Sequence, residues 1–124
     1  HFVATNVYSL AQAKVWSSYV PLAIYADETP VGFLMHGPDE AGQRWIIRLM
    51  VDAEHQRQGH GRQALRLILA EFRADPACGS VAISYEPSNQ VAADLYRELG
   101  FVETGEMEDG ELVARLSLAG PAQP

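Results

Sequence analysis

The stretch Gln56-Arg57-Gln58-Gly59-His60-Gly61-Arg62 sets two glycines among two arginines and two glutamines. Gly59 and Gly61 let the backbone approach a ligand closely and take torsions that side chains forbid. The turn lies between the apolar run Trp45 to Val51 and the periodic stretch Gln63 to Arg73, which predicts strand, turn and helix in succession. Open N–H groups at a helix start, the positive end of its dipole and the forked charges of Arg57 and Arg62 make such a turn an anion cradle. A pyrophosphate is its natural guest. The Walker pattern needs Gly-Lys-Ser/Thr after a longer loop and the dinucleotide fingerprint needs three glycines at another spacing, so neither describes it. A plain strand-to-helix connection would use glycine without the charged and amide neighbours. A solvated surface arginine is the competing reading for Arg57 and Arg62 taken singly.

Read as Gln-x-x-Gly-x-Gly between strand and helix, the turn resembles the coenzyme A pyrophosphate loop of the GNAT superfamily of N-acetyltransferases. A second stretch, Asn89 to Phe101, reads N-x-x-A-x-x-L-Y-x-x-L-G-F and looks like that family's fourth helix and the start of its next strand. The likeness extends from Pro21 to Leu118. Its strand Trp45-Ile46-Ile47-Arg48, turn Glu86-Pro87-Ser88-Asn89 and hairpin around Asp109-Gly110 look most like the bacterial branch that contains spermine/spermidine N-acetyltransferases.

The resemblance implies an α/β GNAT fold, a mixed central β-sheet splayed between two parallel strands and flanked by helices. It implies acetyl-CoA as cosubstrate. Its pyrophosphate would lie on Gln56, Arg57, Gln58, Gly59, His60, Gly61 and Arg62. Its pantetheine would pair like an added strand with main-chain groups of Leu49, Met50 and Val51, beside Asn89, Ala92 and Tyr96. The family's first strand and most of its first helix are expected to be missing ahead of the helix described below.

Composition frames these expectations. With 124 residues and 48% hydrophobic content, one domain spanning 1–124 can bury a substantial core. Nine basic against sixteen acidic residues, net −7, argue against nucleic acid or an anionic membrane as partner and are compatible with a cationic substrate. Cys78 is the single cysteine, so no disulfide framework or cysteine metal cluster is expected. No apolar run approaches a membrane span and no signal segment opens the chain; a soluble, cytoplasmic protein is expected.

Along the chain, Val7, Leu10, Ala11 and Val15 recur at helical intervals and predict a short helix within Phe2 to Ser18. Pro21–Ala26 and Val31–His36 read as antiparallel strands joined at Asp27-Glu28-Thr29-Pro30. Arg44–Val51, apolar on both faces except at Arg48, reads as a central strand. A helix over Gly61–Ala74 with Leu65, Ile68, Leu69 and Phe72 inward then crosses to a parallel strand, Ser80–Tyr85. In the next helix, Ser88 or Asn89 caps the start, Val91, Leu95 and Leu99 mark the core stripe, and Gly100 caps the end. Phe101–Met107 and Glu111–Leu118 flank the hairpin signal Asp109-Gly110, and Gly120–Pro124 reads as a frayed tail.

Tyr96 is the leading catalytic candidate. A phenol with a pKa of about 10 holds its proton at neutral pH and can deliver it to a departing thiolate, the role the family gives a tyrosine here. The competing reading is an amphipathic residue at the core edge. Asn89, seven residues earlier on the same helical face, can cap the helix and also bond a pantetheine arm.

Several amine-acetylating relatives carry an acid on the inner face of the central strand, where this chain has Ile46, Ile47 and Arg48. Glu86 is therefore the first candidate for the base, directly or through water, with Glu28 and Asp52 behind it. His36, His55 and His60 form no metal set, and His60 reads as outward-facing; no metal is expected. Cys78 lies far from both motifs, which argues against an acyl-cysteine intermediate.

These readings converge on transfer of an acetyl group from acetyl-CoA to a primary amine of a small molecule, a polyamine by likeness, through direct attack. The alternatives are a protein or peptide amine as acceptor, a non-catalytic acyl-CoA sensor, and a module without cofactor. A homodimer through sheet edges or the C-terminal hairpin is an open expectation.

Overall fold

A computed structural model describes residues 5–9, 19–56 and 58–118. Among these residues seven strands, β1 (Thr5–Ser9), β2 (Val20–Ala26), β3 (Thr29–Pro38), β4 (Arg44–Val51), β5 (Ser80–Tyr85), β6 (Val102–Glu108) and β7 (Glu111–Ser117), form one mixed sheet in the order β1-β2-β3-β4-β5-β7-β6. Among the described residues two α-helices, α1 (His60–Arg73) and α2 (Gln90–Glu98), accompany it.

The start of the chain departs from expectation. Thr5–Ser9 is a strand paired antiparallel with β2, where spacing predicted helix, so the sheet has an N-terminal edge strand after all. Val7 opposite Ile24 shows the reason: partners supplied by β2 override a weak local helical period. The rest of the predicted helix, Arg57 and the tail from residue 119 lie outside the described residues.

Elsewhere the elements follow local chemistry. β2 and β3 join through Asp27 and Glu28, with Asp27 in the left-handed region at φ 58°. β6 and β7 join through Asp109 and Gly110, both at positive φ, as a two-residue hairpin requires. α1 buries Ala64, Leu65, Ile68, Leu69 and Phe72 against the sheet, where they meet Ile24, Val31, Leu34, Ile46 and Val81. Its stripe width is that of a one-sided surface helix.

β4 and β5 are the only parallel pair among the described strands, and they stay together briefly. Their register runs Arg44↔Val81, Trp45↔Ala82, Ile46↔Ile83 and stops, although β4 continues to Val51 and β5 to Tyr85. The cause lies on the other side of β4. Met35 faces Arg48 but His36 faces Ile46, so Ile47 is an extra residue, a bulge that bends the strand. Past it β4 leaves β5, and a wedge opens at their C-terminal ends.

That bulge also corrects the reading of β4 as buried on both faces. Ile47 is 41% exposed and Met50 53% exposed, so this half of β4 is not covered on both faces.

α2 is corrected as well. Its buried residues are Ala93 and Tyr96, while Val91 is 80% exposed and Leu95 and Leu99 are half-buried. Of the stripe at 91, 95 and 99, Leu95 and Leu99 pack against the edge of the core and Val91 stays outside it. Part of the stripe faces the wedge.

Candidate functional site

The wedge continues into a cleft of about 700 Å³ between β4, the start of α1 and the face of α2. Leu49 and Val51 form one wall, Gln56, Gly59, His60, Gly61 and Arg62 the end, and Asn89, Val91, Ala92, Leu95 and Tyr96 the other wall.

The hydrogen-bond phase of β4 decides what that wall offers. Asp52 N–H donates to Val31 O at 2.8 Å, in the same register as Gly32↔Val51. In an antiparallel ladder, bonding alternates residue by residue, so Asp52, Met50 and Arg48 turn their main-chain groups to β3. Leu49 and Val51 turn theirs the opposite way, into the wedge, where β5 has already diverged. Val51 O accepts from Gln56 Nε2 at 2.9 Å, which leaves the Val51 N–H and both groups of Leu49 without a partner among the described residues. Met50, expected to share this work, does not line the cleft. Its side chain lies with Arg48, Nη1 to Sδ 3.7 Å, on the other face.

At the turn, Gly59 sits before α1 with φ 84° and ψ 6°, a left-handed conformation that explains the glycine. The first helical rung among the described residues runs from Gln63 N–H to Gly59 O at 3.0 Å. Donors ahead of it, those of Gly61 and Arg62 among them, sit at the open positive end of the helix. Gly61 needs another explanation: a Cβ there would meet only Val51 Cγ2, at an ordinary 3.8 Å. What glycine adds at this position is room in the cleft. His60, expected to face outward, is half-buried in the cleft lining and lies 3.1 Å from Gln58 Oε1, because it is already the first residue of α1. Gln58 itself is exposed and outside the lining.

Arg62 lines the cleft, but its fork is engaged. Nε and Nη2 each reach a Glu98 carboxylate oxygen at 2.9 Å, tying α1 to α2 across the mouth, with Arg66 3.8 Å away. Hydrogen bonds from Arg62 hold the Glu98 carboxyl below its usual pKa.

Asn89 caps α2 by accepting from Ala92 N–H at 3.0 Å through Oδ1, leaving its Nδ2 for another partner. At the other end of α2, Phe101 N–H donates to Tyr96 O and Gly100 N–H to Arg97 O, both at 3.0 Å, a Schellman closure with Gly100 at φ 104°. That closure fixes Tyr96. Its ring is 8% exposed, edge-on to Tyr85 at 5.4 Å and tilted on Phe101 at 5.9 Å. Burial, with the charge of Glu111 added, pushes the Tyr96 phenol up to about 12.

Tyr96 also borders a second cavity of about 320 Å³ inside the wedge, between Ile46 to Leu49 of β4 and Ile83 to Glu86 of β5. Glu86 is exposed at its mouth. Sequence reasoning missed Glu111, the first residue of β7, which lines this cavity half-buried and accepts from Ser84 Oγ at 2.7 Å. The signal was available: Asp109-Gly110 fixes Glu111 as the first strand residue, and placing β7 beside β5 brings it to Ser84. Glu28 and Asp52 line neither cavity. Among the described residues no group of three or more His, Cys, Asp or Glu could hold a metal, and no helix is long and apolar enough to cross a membrane.

A family model described as Acetyltransferase (GNAT) family matches residues 4–101, most of the chain and both motifs. The chain belongs to the GNAT acetyltransferase family. It is an N-acetyltransferase of the acyltransferase class.

Among curated proteins, the spermine/spermidine N(1)-acetyltransferase of Bacillus subtilis (strain 168) is 27% identical over 120 residues, 90% of this chain and 79% of that one. Among solved structures, a GNAT family acetyltransferase from Elizabethkingia anophelis with acetyl-CoA bound superposes with a TM-score of 0.76 at 13% identity, covering 92% of this chain and 98% of that one. The ribosomal-protein-S18-alanine N-acetyltransferase from Escherichia coli gives 0.75 at 19% identity, covering 97% and 99%. These likenesses establish the GNAT fold, with its splayed parallel pair, in this acetyltransferase.

Proposed function

We propose that this GNAT protein transfers an acetyl group from acetyl-CoA directly to a primary amine of a small cationic molecule, of which a polyamine is the leading candidate. The observation that carries the reading is the set of β4 main-chain groups without a partner among the described residues, the Val51 N–H and both groups of Leu49, facing a cleft that ends at an open helix N-terminus. A pantetheine-like arm has amide groups at a spacing that can continue such a ladder, as an added strand does. The residues present fit acetyl-CoA in shape and donor set. The N–H groups around Gly61 and Arg62 would meet the pyrophosphate, Asn89 Nδ2 and the apolar Ala92 and Leu95 would flank the arm, and Arg57 remains a candidate for phosphate.

Bound acetyl-CoA supplies an activated acetyl thioester. The chain's own residues do the rest. A main-chain N–H near Val51 donates to the thioester carbonyl oxygen and stabilises charge that develops there. Tyr96, at the junction of both cavities, holds a proton for the departing sulfur. The narrow wedge aligns the amine with the carbonyl carbon, which converts a bimolecular attack into a positioned one. Glu86, exposed at the mouth, is placed to draw an ammonium group inward. The polyamine reading draws on the name of the Bacillus subtilis relative and on the net charge of −7.

A thiol-release assay with acetyl-CoA and a panel of spermine, spermidine, an aminoglycoside, amino acids and short peptides tests this. Release with polyamines above the rest is the expected result. Release confined to peptides would move the acceptor class, and saturable acetyl-CoA binding without release would favour a sensor.

A further inference from the structure

We infer that Glu111 is the group that receives the acceptor's ammonium and takes its proton, with Ser84 as the positioning residue that aims it. The assignment rests on the acetyltransferase reading above and supplies the base that β4 lacks.

The acid that several family relatives carry on the central strand has no counterpart here, since β4 reads Ile46, Ile47 and Arg48 in that stretch. A carboxylate must then come from another element bordering the wedge. β7 pairs β5 with Ser84↔Val113 and Tyr85↔Leu112, so Glu111 is the diagonal neighbour of Ser84 on one face of the sheet. The Ser84 hydroxyl donates to Oε1 at 2.7 Å and fixes the carboxylate, while Oε2 has no protein partner among the described residues. An oriented carboxylate with one open oxygen, half-buried in a cavity of about 320 Å³, is built to take a donor from a guest. Glu111 is also near enough to Tyr96 to perturb its phenol, so acid and base candidates border one reaction space. The other charged or titratable groups around it are Arg48 of β4, Tyr85 and Glu86 at the end of β5, and Tyr96 of α2.

The proton count closes. The ammonium gives one proton to Glu111, and the neutral nitrogen forms the C–N bond while the C–S bond breaks. Sulfur leaves as thiolate and takes the Tyr96 proton. The second proton lost from nitrogen restores Tyr96 through solvent, and Glu111 releases its proton, so amine cation and thioester give amide, thiol and one proton.

The test compares native protein with Glu111→Gln and Ser84→Ala, using the fastest amine of the panel. Glutamine keeps the oxygen that accepts from Ser84 and removes the basicity. The expected result for Glu111→Gln is a kcat loss of about 50-fold or more near neutral pH, within the usual range for general base catalysis. Activity should recover toward native near about pH 10, where much of the amine is already neutral. Calorimetric affinity for acetyl-CoA should stay within about twofold of native, since Glu111 lies outside the cofactor cleft. Ser84→Ala should lose less and show the same recovery. Native-like kcat in Glu111→Gln, a loss equal at both pH values, or a parallel loss of acetyl-CoA affinity would each overturn the assignment. If the native protein itself releases thiol with no amine, the acetyltransferase reading fails first and this assignment with it.

Discussion

Tyr96 is held by two features of α2, its burial against Tyr85 and Phe101 and the Schellman closure one turn on. Its acid form is the one needed, and that form persists until pH rises through the phenol pKa, which stands at about 12. Turnover should therefore show no descending limb from this group up to about pH 10, and Tyr96→Phe should lower kcat by about 100-fold with acetyl-CoA affinity retained. Stopped-flow thiol release across pH checks both; a loss under about threefold would remove Tyr96 from the chemistry. Glu98 poses the opposite case. It occupies the Arg62 fork and adds negative charge at the mouth of the proposed phosphate cradle. Glu98→Gln should tighten acetyl-CoA binding by about threefold to tenfold at low salt and by less at high salt, read by calorimetry. Weaker binding in this variant would mean the bridge shapes the cleft and does not compete for its guest. Tyr96, Asn89, Gly59 and Gly61 were all legible in the sequence, because each belongs to a local pattern. Glu98 was not, and Glu111 becomes legible only once β7 is set beside β5, since their partners lie 36 and 27 residues away and depend on helix packing and strand register.

At the scale of elements, β4 with its bulge and α1 with its open N-terminus create the cleft together. Gly61 separates fold from guest here. An alanine Cβ would sit 3.8 Å from Val51 Cγ2 and alanine favours helix, so Gly61→Ala should melt at or slightly above the native temperature. The same methyl would occupy space in the cleft, and acetyl-CoA affinity should fall by about tenfold. Melting together with a binding titration reads this; lowered stability would show that Gly61 serves the turn. Strand β4, strand β5 and both hairpin turns were predictable from runs and turn residues. The bulge at Ile47 was not. An inserted isoleucine leaves an apolar run apolar, and only the shift from Met35↔Arg48 to His36↔Ile46 reveals it. Val91 misled for a related reason: periodicity reports an apolar face without saying whether core or ligand covers it. β1 was hidden because strand partners outweigh a short helical period.

For the whole molecule, His36 gives a pH signature. Burial, then the Arg44 guanidinium 3.3 Å from its Nδ1, lower its pKa from 6.5 to about 4. The unfolded chain takes this proton near 6.5 and the folded one near 4, so the unfolded state binds more protons between them. Stability is full above that window and falls as pH drops through it. Thermal melts should show the decline, and His36→Gln should flatten it; an unchanged slope would assign the acid sensitivity elsewhere. The account as a whole rests on main-chain pairing of acetyl-CoA along β4. Amide hydrogen exchange with and without acetyl-CoA tests it most directly, because the strand contains its own control. The Leu49 and Val51 N–H groups should gain protection on binding, along with those of Gly61 and Arg62, while Met50, already bonded to β3, should change little. Equal change at Leu49, Met50 and Val51, or no change at any of them under saturating acetyl-CoA, would contradict the account.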